Sequence, residues 1–243
     1  YYLEQGNSVR GSQVTYDRKY SSIAMLEELC WDLDEIFKGV DLLHISGIVP
    51  ALSKKWQTWT VEIVKKAKEY GCLVSFDMNY RSKLWEYEEA YPCFQQIFPY
   101  VDILSAGRLD AIHFLQVASA EEKVSLEEIY RRVKEKYANI KVLYSTKRNV
   151  ISTNHHELQG FYVGEDNNFV ESKVYDIQPV IDRVVGGDAF TAGILNGVLK
   201  GWESQKVVDF GTASSVLKHT VFGDWNPFDE EEVLTFMNQK SGQ

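Results

Sequence analysis

The chain has 243 residues, of which 44% are hydrophobic and 25% are charged, and this balance excludes a disordered or collagen-like protein. Its formal net charge of −9 argues against a nucleic-acid-binding surface, which requires a basic face. The sequence contains no apolar run of about eighteen residues, so it predicts no membrane-spanning helix. Three widely spaced cysteines without a CxxC motif are typical of buried, reduced thiols, and we expect a cytoplasmic protein.

Apolar strands alternate with amphipathic helices along the chain. After a loosely alternating ribbon at residues 9–18, Ser21 and Ser22 offer an N-cap for an apolar stripe that predicts a helix over 23–29. Further helices are predicted at 53–70, 87–98, 108–117, 125–137, 187–199, 204–219 and 228–238, strands at 41–47, 72–77, 101–104 and 140–144, and a hairpin at 149–163. This order predicts parallel βαβ units in a three-layer α/β domain.

The ribbon at residues 9–18 lies outside this alternation and is polar on one side, which favours a flap over a binding site. Ribbons of this kind leave unpaired edges that can pair with a second copy, so we expect a homodimer formed through the flap. The chain opens with Tyr1 and Tyr2 rather than Met, in the middle of a pattern. We therefore expect a missing N-terminal region.

Two glycines, Gly186 and Gly187, stand where the helix predicted at 187–199 must begin. Glycine allows a tight turn and lets an anion approach the backbone, and the free N–H groups of a helix start attract that anion. Asp188 follows in the first turn, where its carboxylate could accept a proton from a substrate hydroxyl. The alternative interpretation is an ordinary turn followed by a helix with a first-turn acid.

Three polar residues follow the strand predicted at 72–77. Asp77, Asn79 and Arg81 are two residues apart, so on an extended chain they point the same way, at the strand end where α/β proteins bind ligands. Arg81 could bind a carboxylate or a phosphate through two parallel hydrogen bonds. The alternative is an Asp–Arg pair that closes a loop.

The residues of the flap allow a related reading. Tyr16 and Arg18 share one face of a strand, and a second arginine beside Arg81 would suit a sugar acid better than a neutral sugar. The alternative is an exposed arginine on an edge ribbon.

Residues 182–190 resemble the signature of the ribokinase-like (PfkB) carbohydrate kinases, whose usual form is Asp-Thr-x-Gly-Ala-Gly-Asp-Ala/Ser-Phe. Residues 77–85 are similar to the Asp-x-Asn-x-Arg-x-x-Leu-Trp strand end of the same family. Within it, the resemblance is nearest to the 2-keto-3-deoxygluconate kinases, where Gly-Gly-Asp-Ala-Phe occurs. It covers essentially the whole chain. It implies a three-layer ribokinase-like sandwich with a mostly parallel central sheet, in which 1–20 form part of a β-flap and 21–243 form the kinase domain, incomplete at its N-terminus.

The resemblance also implies phosphoryl transfer from ATP with Mg²⁺, and a monovalent cation as an optional further cofactor, to a hydroxyl of a small sugar acid. It implies that Asp188 is the base and that Gly186 and Gly187 hold the phosphoryl group. The residues implied to bind the sugar acid are Tyr16, Arg18, Arg81, Asp188 and Asp224. Those implied to bind ATP are Asn79, Thr146, Lys147, Gly186, Gly187 and Ser215.

Several positions depart from the family pattern. Arg183 and Val185 replace the signature's Thr and first Gly, and Lys147 and Arg148 stand where a phosphate loop usually has glycine. Residues 105–108 replace the Asn-x-x-Glu motif that is linked to magnesium, so the sequence identifies no metal ligand, although Asp110 lies near. The alternatives are therefore a PfkB kinase for a neutral sugar such as fructose, or a binding protein that has lost catalysis.

Overall fold

The computed structural model describes residues 1–239, and these form two compact units. The first unit comprises residues 16–143 together with Tyr1, and the second comprises residues 2–15 and the chain from residue 144 onward. Among the described residues, none of the helices has the length and apolar character needed to cross a membrane. The expected division into a flap at 1–20 and a kinase domain at 21–243 stays a prediction.

Short parallel strands alternate with helices in the first unit, whereas antiparallel strands precede a helix pair in the second. The strands, in chain order, are β1 (Tyr2–Glu4), β2 (Gln13–Thr15), β3 (Leu42–Ser46), β4 (Leu73–Asp77), β5 (Ile103–Ser105), β6 (Val142–Ser152), β7 (His155–Val163), β8 (Phe169–Glu171) and β9 (Tyr175–Ile177). The helices are α1 (Leu33–Ile36), α2 (Lys54–Glu69), α3 (Tyr87–Ile97), α4 (Arg108–His113), α5 (Leu126–Lys136), α6 (Gly186–Leu199), α7 (Ser204–Lys218) and α8 (Glu230–Asn238).

Strands β3, β4 and β5 pair in parallel in the first unit. Their carboxyl ends are aligned, because Ser46 lies opposite Asp77 and Asp77 lies opposite Ser105. The consecutive residues Val74, Ser75 and Phe76 of β4 are all fully buried, so both faces of this strand are covered. The polar residues that follow these strands therefore emerge at one edge of the sheet.

Helix α2 lies between β3 and β4 in the chain, and its ends follow from the sequence. The Ser53 hydroxyl accepts a hydrogen bond from the Trp56 backbone N–H (3.2 Å), which is an N-cap. Gly71 follows the C-terminal end with a φ of +78°, a conformation that glycine adopts without strain. The apolar face, which includes Trp56 and Val64, is buried. The prediction of a helix over 53–70 is confirmed.

Antiparallel strands and a close helix pair characterise the second unit. Strand β7 pairs antiparallel with β8 and with β9. Helices α6 and α7 meet at glycines, because a Cβ atom added to Gly193 would lie 2.7 Å from the Cα of Gly211. Any larger side chain at that position would force the two helices apart. The position of α6, and with it the glycine pair at its start, is thus set by α7.

The predicted fold class is confirmed, with corrections to individual elements. The helix predicted over 23–29 is wrong, because this segment forms turns. The Ser21 hydroxyl does accept a hydrogen bond from the Ala24 N–H (3.3 Å), but Ile23 and Met25 are exposed, and a short helix without a buried face is not stable.

The remaining differences concern strand direction and element ends. The sheet was predicted to be mostly parallel, but the structure has both kinds of strand pair. The pairs β3–β4 and β4–β5 of the first unit are parallel, and the pairs β7–β8 and β7–β9 of the second are antiparallel. The predicted antiparallel ribbon is present, but its first strand is β1, well before residue 9. The cysteines are unpaired as predicted, and Cys30 is exposed rather than buried.

Candidate active site

Helix α6 begins at the glycine pair, as predicted. Val185, immediately before it, has φ +53° and ψ +16°, a left-handed backbone conformation that is unfavourable for a β-branched residue. Gly187 and Asp188 in the first turn are exposed. The N–H groups of a first helical turn have no acceptor within the helix. This arrangement can therefore hold an anion and a substrate hydroxyl side by side.

Asp182 ties the segment before α6 to the loop after α7. Its side chain is buried, one carboxylate oxygen accepts from the Val184 N–H (3.0 Å), and the other accepts from the Gly223 N–H (3.1 Å). The backbone N–H of Asp182 in turn donates to the carbonyl of His219 (3.3 Å). These bonds hold the turn at Val185 in its strained conformation. The sequence pattern did not indicate this role of Asp182, because only its burial and its hydrogen-bond partners show it.

The two glycines of the pair have different surroundings. A Cβ atom on Gly186 would lie 2.7 Å from Cε1 of the buried His219 ring, whereas a Cβ on Gly187 would meet nothing within 4 Å. The Ser215 hydroxyl donates to the Gly186 carbonyl (2.8 Å). Gly186 is thus required by packing against α7, and Gly187 leaves open space in front of the helix start. The predicted contact of Ser215 with ATP stays a prediction.

Strand β6 brings basic residues to a second part of this unit. Thr146, Lys147 and Arg148 lie on its exposed half. Lys147 and Arg148 line a cavity of about 390 Å³ together with the exposed, apolar Val174. Positive charge beside apolar surface is an arrangement that suits the phosphates and the base of a nucleotide.

Asp224 lies on the loop that Asp182 holds. It is exposed and follows Gly223, whose φ is +95°. The charge of Asp224 affects the pKa of the fully buried Lys218. Burial lowers this pKa, whereas the charges of Asp182 and Asp224 raise it. The predicted role of Asp224 in sugar binding stays a prediction.

In the first unit, the residues after β4 leave the extended conformation at once. Asn79 has a φ of +37° and donates from Nδ2 to the Ser46 hydroxyl at the end of β3 (3.1 Å). The expectation that Asp77, Asn79 and Arg81 point the same way assumed an extended chain, and the turn at Asn79 makes that assumption wrong. Ser46 was not predicted as part of this group, since the register of β3 and β4 was needed to find it.

Arg81 is exposed, and its guanidinium donates to the neighbouring Tyr80 carbonyl (3.2 Å). It also lies within electrostatic reach of Asp110 near the start of α4. Burial raises the pKa of Asp110, whereas the hydrogen bond from the Gly107 N–H (2.8 Å) and the charges of His113 and Arg81 lower it. The charge of Asp110 thus acts on a predicted binding residue, Arg81.

Tyr16 and Arg18 also belong to the first unit. The Arg18 guanidinium lies 4.4 Å from the centre of the Tyr16 ring, so the two side chains pack together by a cation–π contact. Among the described residues, neither Arg18 nor Arg81 makes an ion pair with an acidic side chain at salt-bridge distance. Both arginines therefore remain available to an anionic ligand.

No group of three or more His, Cys, Asp or Glu residues that could hold a metal ion is found in the part of the chain that the structure describes.

The chain belongs to the pfkB family of carbohydrate kinases, because residues 2–231 match the sequence profile of that family. The match covers both units, including β1 and β2 and the start of α6.

Individual relatives carry more specific names. The chain is 45% identical to a PfkB family carbohydrate kinase from Listeria grayi, with a TM-score of 0.93 over 98% of this chain and 72% of that one. It is 34% identical to the 2-dehydro-3-deoxygluconokinase of Thermotoga maritima, with a TM-score of 0.91 over 98% and 71%. It is also 29% identical to a 2-dehydro-3-deoxygalactonokinase of Haloferax volcanii, over 96% of this chain and 68% of that protein.

The contrast within the glycine pair is testable. We expect Gly186→Ala to lower the free energy of unfolding by roughly 1–3 kcal/mol, because its methyl group would displace the buried His219 ring. Gly187→Ala should change it by less than about 1 kcal/mol, since its surroundings are open and alanine forms helices more readily than glycine. Urea denaturation of the two variants provides the measurement. Equal destabilisation by both substitutions would contradict the assigned role of His219.

Proposed function

We propose that this chain transfers the γ-phosphoryl group of ATP to a hydroxyl of a small sugar acid, most closely 2-dehydro-3-deoxygluconate, which is the 2-keto-3-deoxy acid expected from the sequence. The observation on which this depends is the exposed carboxylate of Asp188 in the first turn of α6, next to the open space at Gly187. The names of the Thermotoga maritima and Bacillus subtilis relatives, both 2-dehydro-3-deoxygluconokinases, support the substrate class. The chain spans 63% of the Bacillus subtilis protein.

In this proposal the first-turn N–H groups of α6 stabilise the charge that develops on the transferring phosphoryl group. The substrate oxygen forms a bond to the γ-phosphorus, the bond to the ADP oxygen breaks, and the hydroxyl proton passes to the Asp188 carboxylate. A helix start stabilises ionised Asp188, which weakens it as a base. Asp188 therefore orients the hydroxyl and takes the proton late, as a loose phosphoryl-transfer transition state requires.

A Mg²⁺ ion bound with the nucleotide would neutralise negative charge on its phosphates. Mg²⁺ is commonly held by substrate phosphates, water and one or two carboxylates rather than by a complete protein cage, which fits the absence of a three-residue metal cluster among residues 1–239. Asp188 is the carboxylate at the helix start that could contribute to its shell. A requirement for a monovalent cation is an optional part of this proposal.

The arginines carry the preference for an acid. Arg81 and Arg18 have no salt-bridge partner among the described acidic side chains, and a guanidinium matches a carboxylate through two parallel hydrogen bonds. Tyr16 would place Arg18 through the cation–π contact. Carboxylate binding by the arginines distinguishes a sugar acid from a neutral sugar. It does not distinguish gluconate from galactonate compounds, which differ in the orientation of one hydroxyl.

The unpaired thiols support a reducing, cytoplasmic location.

The proposal is tested by ADP release from the full-length protein with ATP, Mg²⁺ and either 2-dehydro-3-deoxygluconate or fructose. Asp188→Asn should lower kcat by roughly 10²–10⁴-fold, because it removes the proton acceptor, while the Kd for ATP should change little. The exposed Asp41 is a matched control, and Asp41→Asn should retain parent activity. Unchanged turnover in Asp188→Asn would contradict the proposal.

Replacing Arg81 tests the substrate class. Arg81→Ala should raise the KM for the sugar acid by roughly tenfold or more, which is the loss expected for a charge-assisted hydrogen bond, and should affect any turnover of fructose much less. Arg131→Ala, which removes an exposed arginine that pairs with Glu128 on α5, serves as the control. An equal loss with both sugars would contradict recognition of the substrate carboxylate by Arg81.

We also propose a homodimer formed through the β1–β2 ribbon, whose outer edges can accept strands of a second copy. Exposed apolar residues in this segment, Tyr2 and Val9, support it. Sedimentation equilibrium at micromolar concentration should show a dimer that Tyr2→Lys weakens. A monomer under the same conditions would contradict this part of the proposal.

A further inference from the structure

A fully buried lysine ends helix α7. Lys218 is 0% exposed, although lysine is almost never fully buried without a partner of opposite charge. Among residues 1–239, its ammonium group makes no ion pair with an acidic side chain at salt-bridge distance. Burying a charge in this way is costly. The proposed phosphoryl transfer makes no direct use of Lys218, so its buried charge needs a different explanation.

The ammonium group binds the backbone of the turn that follows α7. Nζ of Lys218 donates a hydrogen bond to the carbonyl of Val221 (3.1 Å), three residues further along the chain. An ammonium group is a compact charge with rotatable donors, and a hydrogen bond from a charged donor is roughly twice as strong as a neutral one. The Val221 carbonyl is therefore held from inside the protein.

The same turn is bonded to the segment before α6. The Gly223 N–H donates to one carboxylate oxygen of Asp182 (3.1 Å), and the other oxygen accepts from the Val184 N–H (3.0 Å). The next residue, Val185, has the left-handed backbone conformation that leads into the first turn of α6. A shift of the turn after α7 would thus pass through Asp182 to the helix start that carries Asp188.

The space that Lys218 fills does not require a lysine. Replacing a buried charged residue by an apolar residue of similar volume is often neutral or stabilising, and methionine has a similar unbranched shape. Burial lowers the pKa of Lys218, and the charges of Asp182 and Asp224 raise it, so these carboxylates offset part of the cost of burying the ammonium group. An apolar side chain could not donate a hydrogen bond to the Val221 carbonyl.

We propose that Lys218 is a positioning residue for the candidate active site: its buried ammonium group, bound to the Val221 carbonyl, fixes the turn after α7 and, through Asp182, the start of α6. Since Lys218 is fully buried, it acts on the site through these backbone bonds and not by contact with a substrate. This inference rests on the proposed function, because the group that it places is the carboxylate of Asp188.

Hydrogen exchange of backbone amides in the full-length protein tests this role without a substrate. In Lys218→Met, the Gly223 N–H should exchange roughly tenfold faster or more than in the parent, which is the loss expected for a charge-assisted hydrogen bond. The N–H of Phe210, in the middle of α7, should exchange as in the parent. Unchanged exchange at Gly223 would overturn the proposal. Equally faster exchange at Phe210 would also overturn it, because Lys218 would then stabilise all of α7.

Lys136 provides a matched control. It is the last residue of α5, and its Nζ donates to a backbone carbonyl, that of Leu115 (2.8 Å). Lys136→Met thus removes the same kind of hydrogen bond in the first unit and should leave the exchange of the Gly223 N–H unchanged. Equal acceleration at Gly223 in the two variants would contradict a local role of Lys218.

The proposed activity gives a second measurement. Lys218→Met should lower kcat with 2-dehydro-3-deoxygluconate by roughly tenfold or more and change the KM values less, because a displaced Asp188 disturbs the reacting geometry more than it disturbs binding. The Tm of this variant should lie at or above the parent value. A parent-like kcat, or a Tm well below the parent value, would overturn the positioning role.

Alkylammonium salts distinguish the charge of Lys218 from the packing of its side chain. In Lys218→Ala, the removed side chain leaves space for ethylammonium, which should restore part of kcat and slow the exchange of the Gly223 N–H. Tetramethylammonium at the same ionic strength has no N–H group to donate and should do neither. Equal effects of the two salts would indicate a general salt effect and would overturn the role of the ammonium group.

The two proposals can fail separately. Faster Gly223 exchange in Lys218→Met, in a protein that releases no ADP with any sugar acid, would support the role of Lys218 while contradicting the kinase activity. ADP release by the parent, together with parent-like exchange and kcat in Lys218→Met, would support the kinase activity while overturning the role of Lys218.

Discussion

The carboxylate of Asp182 is the interaction on which the candidate site depends. By accepting hydrogen bonds from both Val184 and Gly223, it connects the segment before α6 with the loop after α7. This bond pair holds Val185 in a left-handed conformation that its branched side chain disfavours. Strain of this kind persists only where the surrounding structure compensates for it. The direction of the first turn of α6, and so the place of Asp188, follows from this constraint.

The packing of α6 against α7 provides the second support. The ring of His219 fills the space that a side chain at residue 186 would need, and Ser215 binds the Gly186 carbonyl. Further along, Gly193 and Gly211 let the helices approach closely. Gly186, Gly193 and Gly211 are thus required by helix packing. Gly187 is not, because a Cβ atom there would meet nothing within 4 Å. That difference distinguishes the glycine that serves packing from the one that leaves space for an anion.

Much of the fold could be predicted from local signals. Ser53 and Ser125 cap helices as their positions in the sequence indicate, and the buried strands β3 and β4 lie within one residue of the predicted apolar runs. The helix predicted over 23–29 failed because an apolar stripe is stabilised only by a surface that covers it, and Ile23 and Met25 are exposed. The turn at Asn79 was missed because side-chain hydrogen bonding to Ser46, a residue distant in the sequence, supports it.

The sequence by itself determined the α/β alternation, the glycine pair at the start of α6, the acid in its first turn and the family, because these depend on short-range spacing and on the chemistry of single residues. Only the tertiary structure decided which residues meet. Asp182 and Gly223, and Gly186 and His219, are each separated by more than thirty residues in the chain. Contacts between such distant residues arise from strand register and helix packing. The local pattern of a single sequence therefore does not predict them.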